Sequence, residues 1–450
     1  TLSNLMIQKE SYINNIACFP QHKDDIDKRF NDANKSSIAI RFLIELSSSF
    51  EKCGSDTIGE YELELLMAKS SLLIEWAYRS DLFNYKMMHT PLKMLKSNRL
   101  GFNHDEYYSI NSSFATLREE QMGPVGKDKM KELLNGFVRE KMNDEKFEDI
   151  FFKEYDFSPN ELFIVFWKLI DLCKDEISEI SIIKLIDELK DELSEEKIRK
   201  IVNKFSLKSR KNFLEVDKPY SKEDVYPWRF NRELSFVRRP LILDGENIIW
   251  GNRNLSNSVF FLFDLISSGK LKSYSLEMKQ YISKINENRG KNFNNMIFNY
   301  VSKFPNVIVD KNVSKVNKEK ITDNNNDTLG DIDVLCIMPK NKKIILIETK
   351  NFNSVKNYYE LYNEYKNIFV DGEGYKSFLT KHKNRARWIR DHVQDVIEEY
   401  NLPIGNYNVY YMFVTSEYCP ANKVFNLKEN IYSAKELSYS TLINLKKKKL

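Results

Sequence analysis

Apolar residues recur at helical spacing through the first half of the chain. One set runs from Ile38 to Phe50 and another from Leu65 to Trp76, and both have the spacing of a helix face. Ser158-Pro159 supplies an N-cap and a first-turn proline before a further apolar helix. The stretch 177–201 sets apolar residues on a Glu/Lys-rich background, as a solvated helical pair does. The pattern predicts an all-α region over residues 1–215.

The pattern changes near residue 216. Tyr226-Pro227-Trp228 and Arg239-Pro240 interrupt any helix. Two apolar triplets, 241–243 and 248–250, flank the turn sequence 244–247 and predict a β-hairpin. We interpret residues 216–275 as a connector. Its arginines are predicted either to contact nucleic acid or to pair with acids of the helical region: Arg229, Arg232, Arg238 and Arg239.

From about residue 276 the elements alternate. A helix containing Phe293 and Ile297 comes first, and strands are predicted at 307–316, 331–338 and 344–350. A long helix over 376–400, a strand over 408–415 and a final helix over 434–445 complete the chain. This order predicts an α/β domain over 276–450 with a central mixed sheet flanked by helices. The fold class is therefore multidomain, with an all-α region preceding an α/β domain.

Composition narrows the cellular setting but not the activity. The chain has 450 residues with 69 basic and 65 acidic side chains, so any nucleic-acid-binding surface must be local. The five cysteines are widely spaced and form no CxxC pair, which argues against a disulfide framework and a zinc ribbon. No apolar run approaches the roughly 18 residues of a membrane span, and no signal peptide is visible. We expect a cytoplasmic protein with reduced thiols and no membrane association.

Candidate chemistry is concentrated on two predicted strands of the last domain. Asp333 lies on the strand that follows Gly330, and Glu348 and Lys350 end the next strand. Strand side chains alternate, so Glu348 and Lys350 share one face and Thr349 takes the other. Four apolar residues precede Glu348 and predict a buried strand. Burying charged side chains there costs free energy unless they are paired or bind a metal. A hairpin between the two strands would bring Asp333 toward Glu348.

Two converging carboxylates are suited to Mg²⁺ or Mn²⁺, which prefer oxygen ligands. The backbone carbonyl of Thr349 would be a further ligand, and Lys350 could orient a metal-bound water and stabilise developing charge. The alternative is a structural ion pair at a strand end. Asp331 has the same parity as Asp333, so it either assists at the metal or caps the strand in solvent.

These residues resemble a known motif. Asp333, fourteen residues, and then Glu348-Thr349-Lys350, with Gly-Asp-Ile-Asp on the first strand, resemble the PD-(D/E)xK (restriction-endonuclease-like) nuclease superfamily, especially its Mrr and nuclease-related branches. The resemblance covers about 290–415. It implies a Mg²⁺-dependent nuclease with Asp333 and Glu348 as metal ligands and Lys350 as the catalytic lysine.

One position departs from the motif. Many members carry a metal-supporting Glu after Gly-x-x-Phe on the first helix, but here Asn294 follows Gly290-Lys291-Asn292-Phe293. This departure puts a second tightly held metal in doubt.

The predicted helix over 376–400 offers cations beside this motif. Its basic residues are predicted to contact phosphates, or alternatively to form a solvated face: Lys381, Lys383, Arg385, Arg387 and Arg390. His382 falls on the apolar stripe of the same helix, so it is either a satisfied core histidine or an accessory active-site residue.

Two classes of function follow. The first is a metal-dependent endonuclease acting on DNA, or less favoured on RNA, in bacterial restriction or anti-phage defence. Its helical region would gate the site, through a protein partner or a homo-oligomer. The second is a binding or scaffold protein that retains a nuclease fold, for which Asn294 is the supporting feature.

Overall fold

A computed structural model describes most of the chain. It covers residues 20–51, 57–111, 144–173, 176–229, 232–323, 326–352 and 357–448, with residues 5, 8, 11–12, 140–141 and 355 besides. The chain divides into two compact units, the first formed by 1–80 with 128–283 and the second by 81–127 with 284–450. The part of the predicted helical region at 112–139, and Cys18 and Cys53, lie outside the described residues. Among the described residues, Cys173, Cys336 and Cys419 form no disulfide.

Helices dominate the N-terminal part, as predicted. The elements up to residue 301 include α1 (Lys23–Ser47), α2 (Glu60–Asn84), β1 (Lys93–Met94), β2 (Leu100–Gly101), α3 (Glu145–Tyr155), α4 (Pro159–Leu172), β3 (Ile177–Ser181), α5 (Ile182–Leu189), α6 (Glu195–Lys204), β4 (Ser206–Leu207), β5 (Leu241–Asp244), β6 (Asn247–Gly251), α7 (Asn252–Ser267) and α8 (Leu276–Val301). The predicted cap of α4 is present as a full capping box between Ser158 and Glu161.

The region 1–215 is not all-α, which corrects the prediction. Residues 177–181, expected to begin a helical pair, form strand β3 of a four-stranded sheet with the order β3-β6-β5-β4. The predicted hairpin supplies β5 and β6, so residues of the predicted connector share one sheet with β3 and β4. Within β3 only Ile180 is buried, and the apolar partners Ile248 and Trp250 lie on β6.

Three of the four connector arginines form ion pairs within the first unit, and Arg239 donates to the backbone carbonyls of Glu233 and Ser206. Arg232 reaches the buried carboxylate of Glu45 on α1, with Nη2 2.6 Å from Oε1, and the backbone N of Phe236 donates to the same oxygen at 2.7 Å. Arg238 pairs with Glu233, and Arg229 pairs with Glu223 at 3.0 Å. These contacts favour the structural interpretation over contact with nucleic acid.

The second unit contains a mixed five-stranded sheet. The elements of this unit are β7 (Ile308–Val313), β8 (Lys315–Val316), β9 (Glu319–Lys320), β10 (Ile332–Met338), β11 (Lys343–Lys350), α9 (Tyr358–Phe369), α10 (Phe378–Asp391), α11 (Val393–Glu399), β12 (Asn408–Thr415), α12 (Pro420–Val424), β13 (Ile431–Ser433) and α13 (Tyr439–Ile443). The strand order of the sheet is β13-β12-β11-β10-β7, and β8 and β9 form a separate small hairpin. β7, β10 and β11 are antiparallel, whereas β11, β12 and β13 are parallel.

The predicted mixed sheet with flanking helices is confirmed, but two helices differ. The helix expected over 376–400 is α10 and α11, which meet at His392. The backbone of His392 leaves the helical region, with φ −116° and ψ 32°. The final helix expected over 434–445 is only α13, because Ser433 bonds to the side chain of Glu436 and Ser438 caps the helix start.

The sheet is buried on both faces. One face packs Leu335 and Leu346 against Ala386 and Ile389 of α10. The other packs Ile345 and Ile347 against α8 and α13. Because Asp333, Glu348 and Lys350 have the parity of Leu335 and Leu346, they lie on the α10 face. No helix in the described part of the chain is long and apolar enough to cross a bilayer.

The sheet core should determine the stability of the second unit. Leu346→Ala empties a fully buried position in β11 and should cost about 2–5 kcal/mol. Ile404→Ala is the matched control, because Ile404 is 94% exposed and should change stability by less than about 0.5 kcal/mol. Urea unfolding read by hydrogen exchange of β11 and β12 measures both. Equal effects of the two substitutions would contradict this core.

Candidate active site

The candidate site lies where β10 and β11 bring two acids together. The antiparallel register pairs Val334 with Ile347, so the next pair outward is Asp333 and Glu348. Residues opposite each other on antiparallel strands project to the same face. Lys350 follows two residues later on that face, at the end of β11. The strand parity therefore places all three predicted catalytic residues at one end of the sheet.

Asp333 is fixed by the residue that follows Glu348. The backbone N of Thr349 donates to Asp333 Oδ2 at 2.7 Å, and Thr349 Oγ1 donates to the same oxygen at 3.1 Å. Among the described residues Asp333 Oδ1 makes no hydrogen bond, which leaves this oxygen available to a ligand. The structure thus shows a role for the amide and hydroxyl of Thr349, in addition to the carbonyl that was predicted as a metal ligand.

Glu348 is a buried anion between two cations. It is 4% exposed. Lys350 Nζ lies 2.8 Å from its Oε1, and Arg385 Nη1 lies 2.9 Å from its Oε2. The contact with Arg385 is close but poorly aligned, since Oε2 has no hydrogen-bond partner in the described part of the chain. We therefore treat Arg385 as a charge neighbour of Glu348, with the aligned bond coming from Lys350.

The two carboxylates respond in opposite directions to this setting. Burial alone would raise the pKa of Glu348, but the charges of Lys350 and Arg385 outweigh it and lower the pKa to about 2. For Asp333, burial and then the negative charge of Glu348 raise the pKa above its ordinary value. Glu348 is thus permanently charged near neutral pH, and Asp333 is the carboxylate whose negative charge is least compensated.

His382 closes the site from the α10 side. Its side chain is fully buried, and Nε2 lies 3.2 Å from the carbonyl of Leu346 and 3.1 Å from that of Met412. Carbonyls only accept, so Nε2 carries the hydrogen and Nδ1 presents a lone pair. Burial is the main cause that lowers the pKa of His382 to about 4, so the ring is neutral near neutral pH.

The lone pair of His382 faces another acceptor. Nδ1 lies 3.7 Å from Glu348 Oε2, and neither atom has a hydrogen-bond partner among the described residues. His382 is therefore a satisfied core histidine through Nε2, and it touches the candidate site through Nδ1. Both interpretations offered by the sequence describe part of what this residue does.

Arg385 lies with the candidate catalytic residues. It was predicted as a phosphate contact, but its side chain is buried beside Glu348 and donates to the carbonyl of Asp331. The sequence contained a signal for this position, because Arg385 lies three residues after His382 and therefore on the same helix face. The Asp331 side chain is exposed and has no partner in the described part of the chain, so only its carbonyl joins the site.

Of the other side chains predicted to contact phosphates, three lie on the surface and two form ion pairs, with Arg390 doing both. Lys381, Arg387 and Arg390 are exposed on α10. Lys383 is partly buried, with Nζ 3.2 Å from Glu429 Oε1. The exposed basic face of α10 is thus Lys381, Arg387 and Arg390, and Arg390 is shared with Asp391 at 3.0 Å.

Asn294 is held at the sheet edge. Its Nδ2 donates to Asn312 Oδ1 on β7 at 2.9 Å, and its buried Oδ1 has no hydrogen-bond partner among the described residues. Asn294 lies on α8, which covers the face opposite to Asp333 and Glu348. The structure shows no contact of Asn294 with either acid.

The donor atoms of the site fit a hard divalent ion. Two carboxylates face each other, and each has an oxygen without a hydrogen bond in the described part of the chain: Asp333 Oδ1 and Glu348 Oε2. Carboxylate and water oxygens are the usual ligands of Mg²⁺ and Mn²⁺. The site offers two acidic ligands, Asp333 and Glu348. Among the described residues, no third His, Cys, Asp or Glu side chain lies close enough to both to complete a group of three ligands here.

The fold and the site together define a two-unit protein whose α/β unit carries a buried acid–base cluster at a sheet end. The chain belongs to the Upx-like anti-phage protein family, whose model matches residues 21–429. This membership makes it an anti-phage defence protein. Searches of curated proteins and of solved structures gave no match.

The raised pKa of Asp333 gives a prediction about stability. Its charged form costs the folded state free energy, so Asp333→Asn should stabilise the second unit at pH 7. The gain should grow as pH rises from about 4, the ordinary value of an aspartate in the unfolded chain, to the raised pKa of folded Asp333. It should stay constant above that pKa and vanish below about pH 4, where both states are neutral. Urea unfolding across this range is the measurement. Asp331→Asn is the control and should have little effect at any pH; an Asp333→Asn variant less stable than the wild type at pH 7 would contradict the assignment.

Proposed function

We propose that this protein is a metal-dependent endonuclease that protects its host against phage by cutting nucleic acid, with DNA as the favoured substrate. The observation that carries the proposal is the buried Glu348, paired with Lys350 and opposite Asp333 at a sheet end. The same residues support its resemblance to the restriction-endonuclease-like superfamily. Membership of an anti-phage family supports the biological setting.

The charges around the site favour binding of a phosphodiester. Asp333 and Glu348 together balance Lys350 and Arg385, so the four side chains sum to zero. With a divalent ion held by Asp333 and Glu348, the cluster would carry a net charge of +2. That excess favours an anionic phosphate over a neutral substrate. Such an ion, when bound, would acidify a water molecule and neutralise charge on the phosphate.

Lys350 is the side chain best placed to act on substrate. Its side chain remains 23% exposed, whereas that of Glu348 is 5% exposed. The Nζ lies over the ring of Phe378 at 4.3 Å, which holds the ammonium beside the site without consuming a donor. Lys350 can therefore exchange its bond to Glu348 for one to a phosphate oxygen or to the attacking water. Arg385 and His382 remain buried, and we assign them the positioning of Glu348.

The defence role requires a control element. An unrestrained nuclease would attack the nucleic acid of the host, and the candidate site is built from residues 331–385 of the second unit alone. The helical first unit supplies none of these residues. We propose that it determines when the site acts, through a partner or a second copy of the chain.

The central prediction is that Lys350 and Glu348 are required for cutting. Lys350→Ala and Glu348→Gln should each lower metal-dependent cleavage by about 100-fold or more, the usual cost of losing a group that stabilises transition-state charge. Full-length protein is incubated with plasmid, single-stranded DNA and RNA in Mg²⁺, Mn²⁺, Ca²⁺ or EDTA. We expect cutting with Mg²⁺ or Mn²⁺, binding without turnover in Ca²⁺, and no cutting in EDTA.

Lys340→Ala is the matched control, because Lys340 is exposed on the turn at the other end of the same hairpin. The same variants are plated with phage, which supplies any trigger that the purified reaction lacks. Loss of protection with Lys350→Ala but not with Lys340→Ala is expected. If Lys350→Ala cuts or protects as well as the wild type, Lys350 is not part of the active site. If only RNA is cut, the substrate is RNA and not DNA.

A second prediction concerns the exposed basic face of α10. This helix also carries His382 and Arg385, so Lys381 and Arg387 lie within about two helical turns of residues that contact Glu348. In a catalytically inactive background, the double substitution Lys381→Glu with Arg387→Glu should weaken the binding of nucleic acid. The log–log salt slope should become shallower by roughly 0.7–0.9 for each phosphate that the variant no longer neutralises. Lys303→Glu with Lys340→Glu changes two exposed lysines elsewhere in the unit, and an equal effect of both pairs would mean nonspecific attraction only.

A further inference from the structure

A second cluster of metal-ligating side chains lies at the small hairpin of the second unit. The tip of the β8–β9 hairpin is Asn317 and Lys318, which have φ values of 48° and 71°. Asn317 Nδ2 donates to Asp395 Oδ1 at 3.3 Å, and its backbone N donates to the carboxylate of Glu399. These bonds hold the hairpin against α11, beside the α10–α11 corner.

This arrangement brings together ligands from two distant parts of the chain. Ligand atoms of Glu319, His392 and Asp395 all lie within 4.8 Å of one another. His392 Nε2 lies 3.7 Å from Glu319 Oε2. His392 and Asp395 lie three residues apart at the helix corner, and tertiary structure brings Glu319 of the hairpin to them.

The tautomer of His392 leaves Nε2, the ring nitrogen nearer Glu319, available to bind a metal. Its Nδ1 lies 2.8 Å from the carbonyl of Trp388, which only accepts, so Nδ1 carries the hydrogen. In the neutral ring Nε2 then presents its lone pair toward Glu319. The ring is stacked on Trp388 with centroids 3.9 Å apart, which fixes its plane. A backbone carbonyl on the far nitrogen is the usual way in which proteins orient a metal-binding histidine.

The cluster lacks a compensating cation. Among the described residues, no lysine or arginine forms an ion pair with Glu319 or Asp395. Two carboxylates and an imidazole lone pair therefore face one another, with the carboxylate of Glu399 also close to the hairpin tip. A divalent ion would remove this repulsion.

We propose that Glu319, His392 and Asp395 form a metal site separate from Asp333 and Glu348. Zn²⁺ and similar borderline divalent ions accept both imidazole nitrogen and carboxylate oxygen, so one histidine and two carboxylates can bind such an ion, with water completing the coordination. The bound ion joins the hairpin to the corner between the basic helix α10 and α11. It thereby fixes the end of α10 that carries Arg390. The proposal stands independently of the proposed nuclease activity.

The test is Zn²⁺ binding to the full-length protein freed of metal with EDTA. A chromophoric zinc chelator competes with wild type, Glu319→Gln, His392→Gln and the control His104→Ala. We expect affinity to fall by at least 10–100-fold in the first two variants, since even the loss of an outer partner costs that much, and to be unchanged in the control. Zn²⁺ should also slow hydrogen exchange in 315–320 of the wild type and of His104→Ala, but not of Glu319→Gln or His392→Gln.

Two results would overturn the proposal. One is equal Zn²⁺ affinity in wild type, Glu319→Gln and His392→Gln. The other is a wild-type hairpin that is protected from exchange in EDTA and gains nothing from Zn²⁺, which would mean that the hairpin is held against α11 without a metal. Glu348→Gln should retain the His392-dependent binding, so the result is distinguishable from failure of the strand-end site.

Discussion

The second unit is organised around one constraint, which is that a negative charge is buried on the sheet at Glu348. An isolated carboxylate at that depth would cost several kcal/mol, so it requires cations held in place. Lys350 supplies one from the same strand, and Arg385 supplies the other from α10. The position of α10 on the sheet is therefore fixed electrostatically as well as by the apolar contacts of Ala386 and Ile389.

A buried cluster of this kind is a poor way to gain stability. Replacing buried ion pairs with apolar residues is often neutral or stabilising, and Asp333 adds a charge that the fold disfavours. The cluster also retains unbonded acceptors at Glu348 Oε2 and His382 Nδ1. Buried carboxylates with shifted pKa values and oxygens without hydrogen bonds are more typical of functional sites than of structural ones. The geometry therefore supports the proposed nuclease, and family membership provides the defence role.

The sequence predicted the sheet end better than it predicted the helices around it. Strand parity alone placed Glu348 and Lys350 together, and the apolar runs marked β10, β11 and β12 to within a residue or two of their observed bounds. Strand β3 was missed because its apolar partners lie on β6, about 70 residues away. The break at His392 was missed because it depends on local backbone geometry and not on a proline or glycine. The apolar stripe of α10 placed His382 on the packed face, and Arg385 lies three residues later on that face, but the contact of Arg385 with Glu348 depends on how α10 lies across the sheet.

Mn²⁺ binding followed by electron paramagnetic resonance decides whether Asp333 and Glu348 hold a divalent ion, as we propose. The measurement is made in His392→Gln protein, so that only the strand-end site is read. We expect this protein to bind Mn²⁺. Adding Asp333→Asn and Glu348→Gln should abolish the binding, whereas adding Lys350→Ala should retain it because a competing cation is removed. Undiminished Mn²⁺ binding after loss of both carboxylates would show that these residues do not hold the ion.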